Sequence, residues 1–144
     1  MNTNKKTAGI FQDVKIDVKI KLAALWVALM FCYTYADILG FYAPGNLEEL
    51  LSGEIAGIQM TQGLLLASAI LMVIPTAMVF LSLALKARAN RLANIIVGIV
   101  YMGVLGSTLL TGRAPAYYVL YVLVKAVLIA LIVWHAFKWP KTQA

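Results

Sequence analysis

The chain has 144 residues, 62% of them hydrophobic and 12% charged, with twelve Lys and Arg against six Asp and Glu for a net charge of +6. A soluble domain averages about a quarter charged residues, so this composition and a mean hydropathy of +0.87 read as an integral membrane protein, too short for a separate soluble catalytic module. The basic residues sit between apolar runs rather than on one solvated face, which argues against nucleic-acid binding.

Single copies of Cys32 and His135 exclude an internal disulfide, a Cys-x-x-Cys pair and a multi-histidine haem or metal site within one chain. Residues 1–21 form a basic lead-in with Lys5, Lys6, Lys15, Lys19 and Lys21. Val14–Ile20 alternates like a strand, while Ile10, Phe11, Val14 and Val18 also fit one helical face. The helical run that follows favours an interfacial helix or an extended arm on the membrane surface. The first apolar run is long and lacks a small-x-small cleavage site, so it reads as a span and not as a cleaved leader.

The first span is predicted over 22–41, with Trp26, Tyr33 and Asp37 sharing one helical face. Residues 42–59 form an acidic connection holding Glu48, Glu49 and Glu54 and no basic residue. Pro44-Gly45 ends the first helix. Asn46-x-x-Glu49 reads as a capping box for a short interfacial helix, 47–52, closed by Gly53.

The second span is predicted over 60–85. Pro75 inside it removes the hydrogen bond to the Leu71 carbonyl and predicts a kink. Thr61, Ser68, Pro75 and Ser82 recur at sevens as a stripe for close packing. Lys86–Arg91 reads as a tight basic turn, and the third span as 92–110. Asn94, Tyr101 and Thr108 lie on one face of that span, and Gly98, Gly103 and Gly106 admit a close neighbour. Thr111-Gly112-Arg113 turns the chain into a fourth span, 114–138, with Pro115 in its first turn and Trp134, Lys138 and Trp139 as interfacial anchors.

Basic residues are excluded from one side. With the N-terminus inside, ten of the twelve Lys and Arg face the cytoplasm, Arg113 alone lies outside, and Lys125 is buried. The expected fold is therefore all-α: a four-helix up-down-up-down membrane bundle with both termini cytoplasmic.

Lys125 is the residue that needs explaining. It lies about 16 Å from the Ala114 end of its span, near the middle of a slab about 30 Å thick, where a lone ammonium costs about 2.5–3.5 kcal/mol on insertion scales. Asp37 is the one acid within an apolar run. Side chains tilt toward the N-terminus of their own helix, which brings these two charges toward one another if the first and fourth spans are neighbours. Tyr117, Tyr121 and Lys125 follow at steps of four. The expected site is an outward-facing polar pocket lined by Tyr33, Asp37, Tyr101, Tyr121 and Lys125; the plainer alternative is a structural ion pair satisfied by tyrosine hydroxyls. No paired carboxylates, nucleophile–base–acid set, metal site or cofactor site is expected.

Ala24-Leu25-Trp26, Tyr35-Ala36-Asp37-Ile38-Leu39, Pro44-Gly45-x-Leu47-Glu48-Glu49, Gly57-Ile58-Gln59, Ile74-Pro75-x-Ala77-Met78 and Arg88-Ala89-Asn90-Arg91-x-Ala93-Asn94-Ile95-Ile96 cover much of the chain. With these patterns it resembles a family of small, uncharacterised bacterial four-helix membrane proteins and, more distantly, DoxX-like proteins. The resemblance implies a bacterial inner membrane; its DoxX-like part implies a quinone- or lipid-linked enzyme. From the residues, the leading expectation is a transporter or oligomeric channel for a small solute or ion, with a non-catalytic subunit or scaffold as the alternative. The partners expected are the lipid bilayer and a second copy or another membrane protein.

Overall fold

The computed structural model describes residues 14–55, 57–109 and 115–140. Residues 1–13 of the lead-in, with Ile10 and Phe11, and the turn at Arg113 lie outside the described residues. Among the described residues five helices form: α1 Val18–Phe41, α2 Asn46–Leu51, α3 Gln62–Ala84, α4 Ala87–Leu109 and α5 Ala116–Phe137. All but α2 are long and apolar enough to cross a membrane. A two-stranded hairpin, β1 Glu54–Ile55 and β2 Ile58–Gln59, sits between α2 and α3.

The boundaries shift where a polar side chain or a turn decides them. α1 starts at Val18, ahead of the expected 22, because the Asp17 carboxylate accepts from Lys19 N at 2.7 Å and caps the first turn. Val14–Asp17 carries no regular structure, so the alternating apolar pattern there forms no strand. α4 absorbs most of the expected basic turn and leaves only Leu85 and Lys86 between helices. Pro115 caps α5 from outside the helix instead of occupying its first turn.

The short helix forms without its expected capping box. Its N-cap is Gly45 at φ +86°, with no side-chain cap, and the Asn46 amide instead donates to Gly40 O at 3.0 Å. Only glycine takes that left-handed turn freely. Gly53, at φ +81°, follows the helix. The hairpin behind it was not predicted from sequence; Gly57 at φ +76° turns it, and Gln59 Nε2 donates to Glu54 Oε1 at 3.0 Å.

The packing places α1 against both α3 and α5, and α4 against α5, with the α3–α4 contact much sparser. Buried positions step by three, four or seven: Leu22, Trp26, Leu29 and Ala36 on α1, and Val122, Lys125, Ile129, Ile132 and Ala136 on α5. Of the small-residue stripe on α3, Pro75 and Ser82 are buried, whereas Thr61 and Ser68 are exposed. Thr61 serves as the N-cap of α3, accepting from Leu64 N. Of the α4 glycines only Gly98 meets a neighbour: a Cβ there would lie 2.6 Å from Val133 Cγ2, whereas Gly103 and Gly106 face open space.

The start of α1 meets the end of α3, where Lys19 Nζ donates to Leu83 O and Leu85 O. At that same end Arg91 of α4 lies over Phe137 of α5. We call this the turn end; the other, carrying α2 and β1–β2, is the hairpin end.

Candidate functional site

Lys125 stands on the inner seam of α5 and is only 3% exposed. Its Nζ lies 4.1 Å from the centre of the Tyr33 ring and 5.6 Å from that of Tyr118. The ammonium is thus enclosed by two aromatic faces, whose quadrupoles contribute up to about 2 kcal/mol each when desolvated. Asp37 is within electrostatic reach of Lys125, yet no carboxylate among the described residues comes within 4.0 Å of Nζ. Ala36, one residue earlier, takes the seam position, and Asp37 sits on the exposed side of it.

The structure therefore gathers three of the five expected residues closely. Tyr33 joins Lys125 directly, and Tyr101 packs edge-to-face on Tyr33 at 6.5 Å between ring centres. Asp37 stays at the rim, and Tyr121 is half-buried, while the rings over Lys125 are those of Tyr33 and Tyr118. Tyr118 takes the place expected of Tyr121. Helical spacing carried that signal: seven residues put Tyr118 about 20° from Lys125 around the axis, whereas four put Tyr121 about 40° away.

Tyr101 has a second task. Its hydroxyl donates to Leu71 O, the carbonyl that Pro75 leaves without its helical partner. A chain of edge-on rings then runs from Lys125 through Tyr33 and Tyr101 to Trp26, the last step 6.1 Å between centres. The Tyr33 hydroxyl is buried and has no hydrogen-bond partner among the described residues.

Below the rings, toward the turn end, a buried polar cluster links three helices. Trp26 Nε1 donates to Asn94 Oδ1 at 2.7 Å, and Ser82 Oγ donates to the same oxygen at 3.3 Å. Asn94 Nδ2 donates to Asn90 Oδ1 at 2.7 Å and to Asn90 O at 2.9 Å, while Asn90 Nδ2 donates to Ser82 O at 2.5 Å. Ser82, Asn90, Asn94 and Trp26 are all fully buried. Sequence reasoning noted these residues separately and missed the cluster, because a contact between residues 26 and 94 leaves no local spacing to read.

A family model matches residues 10–144 and so includes every residue of this site. The chain belongs to the DUF6326 family, a family of unknown function. No curated protein and no solved structure matches it. For this DUF6326 member, then, function must be argued from the site itself. Around Lys125 that site offers a cation, an unfilled hydroxyl donor and aromatic walls, with an acidic rim residue at Asp37. His135 lies outside it, its Nδ1 2.8 Å from Leu131 O on its own helix.

Proposed function

We propose that this is a bacterial inner-membrane protein, with α1, α3, α4 and α5 crossing the bilayer up-down-up-down and both termini cytoplasmic. In this reading it binds a small anionic solute at Lys125 as one step of transport. The observation that carries the reading is the pairing of a buried ammonium with the unpartnered Tyr33 hydroxyl. Lys125 lies about 14 Å along a helix about 33 Å long, and an ionisable residue kept at that depth is a functional candidate by default. An anion would accept from both groups and neutralise the charge that the tyrosine faces now stabilise.

Access would be from the hairpin end, on the Asp37 side. Toward the turn end the bundle is filled by Trp26, Tyr101, Leu29, Ile129 and Ile132, all with no exposed surface, above the Asn–Ser–Trp cluster. That filling favours a one-sided binding site, opened by movement, over a continuous pore. Among the described residues, Glu48, Glu49 and Glu54 lie at the hairpin end and every Lys and Arg except Lys125 lies toward the turn end, which supports a cytoplasmic turn end.

The test is charge movement in proteoliposomes on a supported membrane, with steps of chloride, phosphate and acetate in turn. A current for at least one of these anions is expected, lost in Lys125→Met and reduced in Tyr33→Phe. Currents indistinguishable from protein-free liposomes for all three would sink the transport reading. A scaffold role would then gain, and one observation already favours it: every residue from Gln62 to Ile70 on α3 is exposed, a mostly apolar surface for another membrane protein. The DoxX-like, quinone-linked reading rests on sequence patterns alone.

A further inference from the structure

We propose that the outer face between α4 and α5 binds one anionic phospholipid, with its phosphate at Arg91 and one acyl chain laid along the groove beside Gly98 and Gly103. The groove, of about 470 Å³, is lined by Gly98, Ile99, Met102, Gly103, Ala130 and Val133. It exists because Gly98 lets Val133 approach where a Cβ would collide, while Gly103 faces open space.

Arg91 sits at the turn-end foot of the same face. Along α4, Gly98 and Met102 lie within about 20° of Arg91 around the axis and Ile99 and Gly103 about 80° and 120° round from it, and Ala130, Val133 and Phe137 of α5 fall within about 60°, at 3.6 residues per turn. Arg91 precedes Gly98 by roughly 10 Å along the helix. Its guanidinium lies 5.6 Å from the Phe137 ring centre, and its Nε is buried with no hydrogen-bond partner among the described residues.

A planar guanidinium at the foot of an apolar groove matches a phosphate joined to an acyl chain, the contact being made by its terminal N–H groups. Lys86, Arg88 and Lys138 lie at the same end and add attraction for an anionic headgroup. A second copy of the chain fits this face less well, because a two-fold contact across it would set Arg91 and Lys138 of both copies near one another. This site is separate from Lys125 and independent of the transport reading.

Native mass spectrometry of the whole protein in a neutral detergent tests it, with phosphatidylglycerol and phosphatidylcholine of identical acyl chains as probes. Phosphatidylglycerol should be retained about tenfold better, and Arg91→Gln should remove about that factor, as expected for one charge-assisted bidentate contact. Gly103→Leu fills the groove without a backbone clash and should also lower retention. It keeps the test open should Arg91→Gln fail to fold. Equal retention of the two lipids, or retention unchanged in Gly103→Leu, overturns the proposal. So does displacement of the lipid by glycerol phosphate, which would mark a free-phosphate site, or a dimer mass abolished by Gly103→Leu, which would make a second copy the occupant.

Discussion

Lys125 shows how a single residue sets the design around it. Its compensation comes from the ring faces of Tyr33 and Tyr118 and only at longer range from Asp37, which alters what substitution should do. Asp37→Asn is expected to change stability by less than about 0.5 kcal/mol, as for an exposed residue outside any ion pair. Tyr33→Leu should destabilise by about 2 kcal/mol when Lys125 is present and by clearly less in a Lys125→Met background. Denaturation of the four proteins in mild detergent reads this coupling directly; additive effects would show that the ring does not stabilise the ammonium. Asn94 makes a parallel case. Asn94→Leu leaves the Trp26 indole N–H and the Ser82 hydroxyl without their acceptor and Asn90 Oδ1 without its donor, and a loss of about 1–3 kcal/mol is expected. Adding Trp26→Phe should recover part of it.

At the scale of elements, α3 and α4 are joined less by surface packing than by particular bonds. Pro75 frees the Leu71 carbonyl, and Tyr101 reaches across to fill it. Tyr101→Phe should therefore cost about 1–2 kcal/mol. In a Pro75→Ala background the restored helical N–H satisfies Leu71 O, so the same change should cost less, and thermal unfolding of the cycle measures the difference. α4 and α5 are held by a different device. Gly98→Ala forces a methyl against Val133 and should destabilise by about 1–3 kcal/mol through overpacking. Gly103→Ala meets open space and should be neutral or stabilising by up to about 1 kcal/mol, since alanine is the better helix former. Equal effects at the two glycines would contradict the close approach at Gly98.

At the scale of the whole molecule, the described basic side chains other than Lys125 gather toward one end. Glu48, Glu49 and Glu54 lie at the hairpin end, whereas Lys19, Lys86, Arg88, Arg91 and Lys138 lie at the turn end. On the proposed orientation, in a Cys32→Ser background, Leu51→Cys should react with an impermeant maleimide on intact spheroplasts. Arg88→Cys should react only after permeabilisation. The reverse pattern would invert the assignment and move the mouth of the Lys125 site to the cytoplasmic side. Both positions are exposed, so failure to label cannot be blamed on burial in the bundle.

The sequence by itself determined four helices long and apolar enough to cross a membrane, because chain length per helical turn and hydropathy are local properties. It also determined the freed carbonyl at Leu71, since proline lacks an N–H wherever it stands. Element ends were less legible: the Asp17 cap, the left-handed Gly45 and the hairpin at Gly57 each depend on one backbone conformation among several that the residues permit. Tertiary structure alone decided who satisfies whom. Tyr118 instead of Tyr121 faces Lys125, Asp37 falls outside ion-pair distance, Tyr101 claims the Leu71 carbonyl, and Trp26 finds Asn94. Those choices turn on rotations of a few tens of degrees and on which helices are neighbours, and the energies that fix them arise only when distant segments pack.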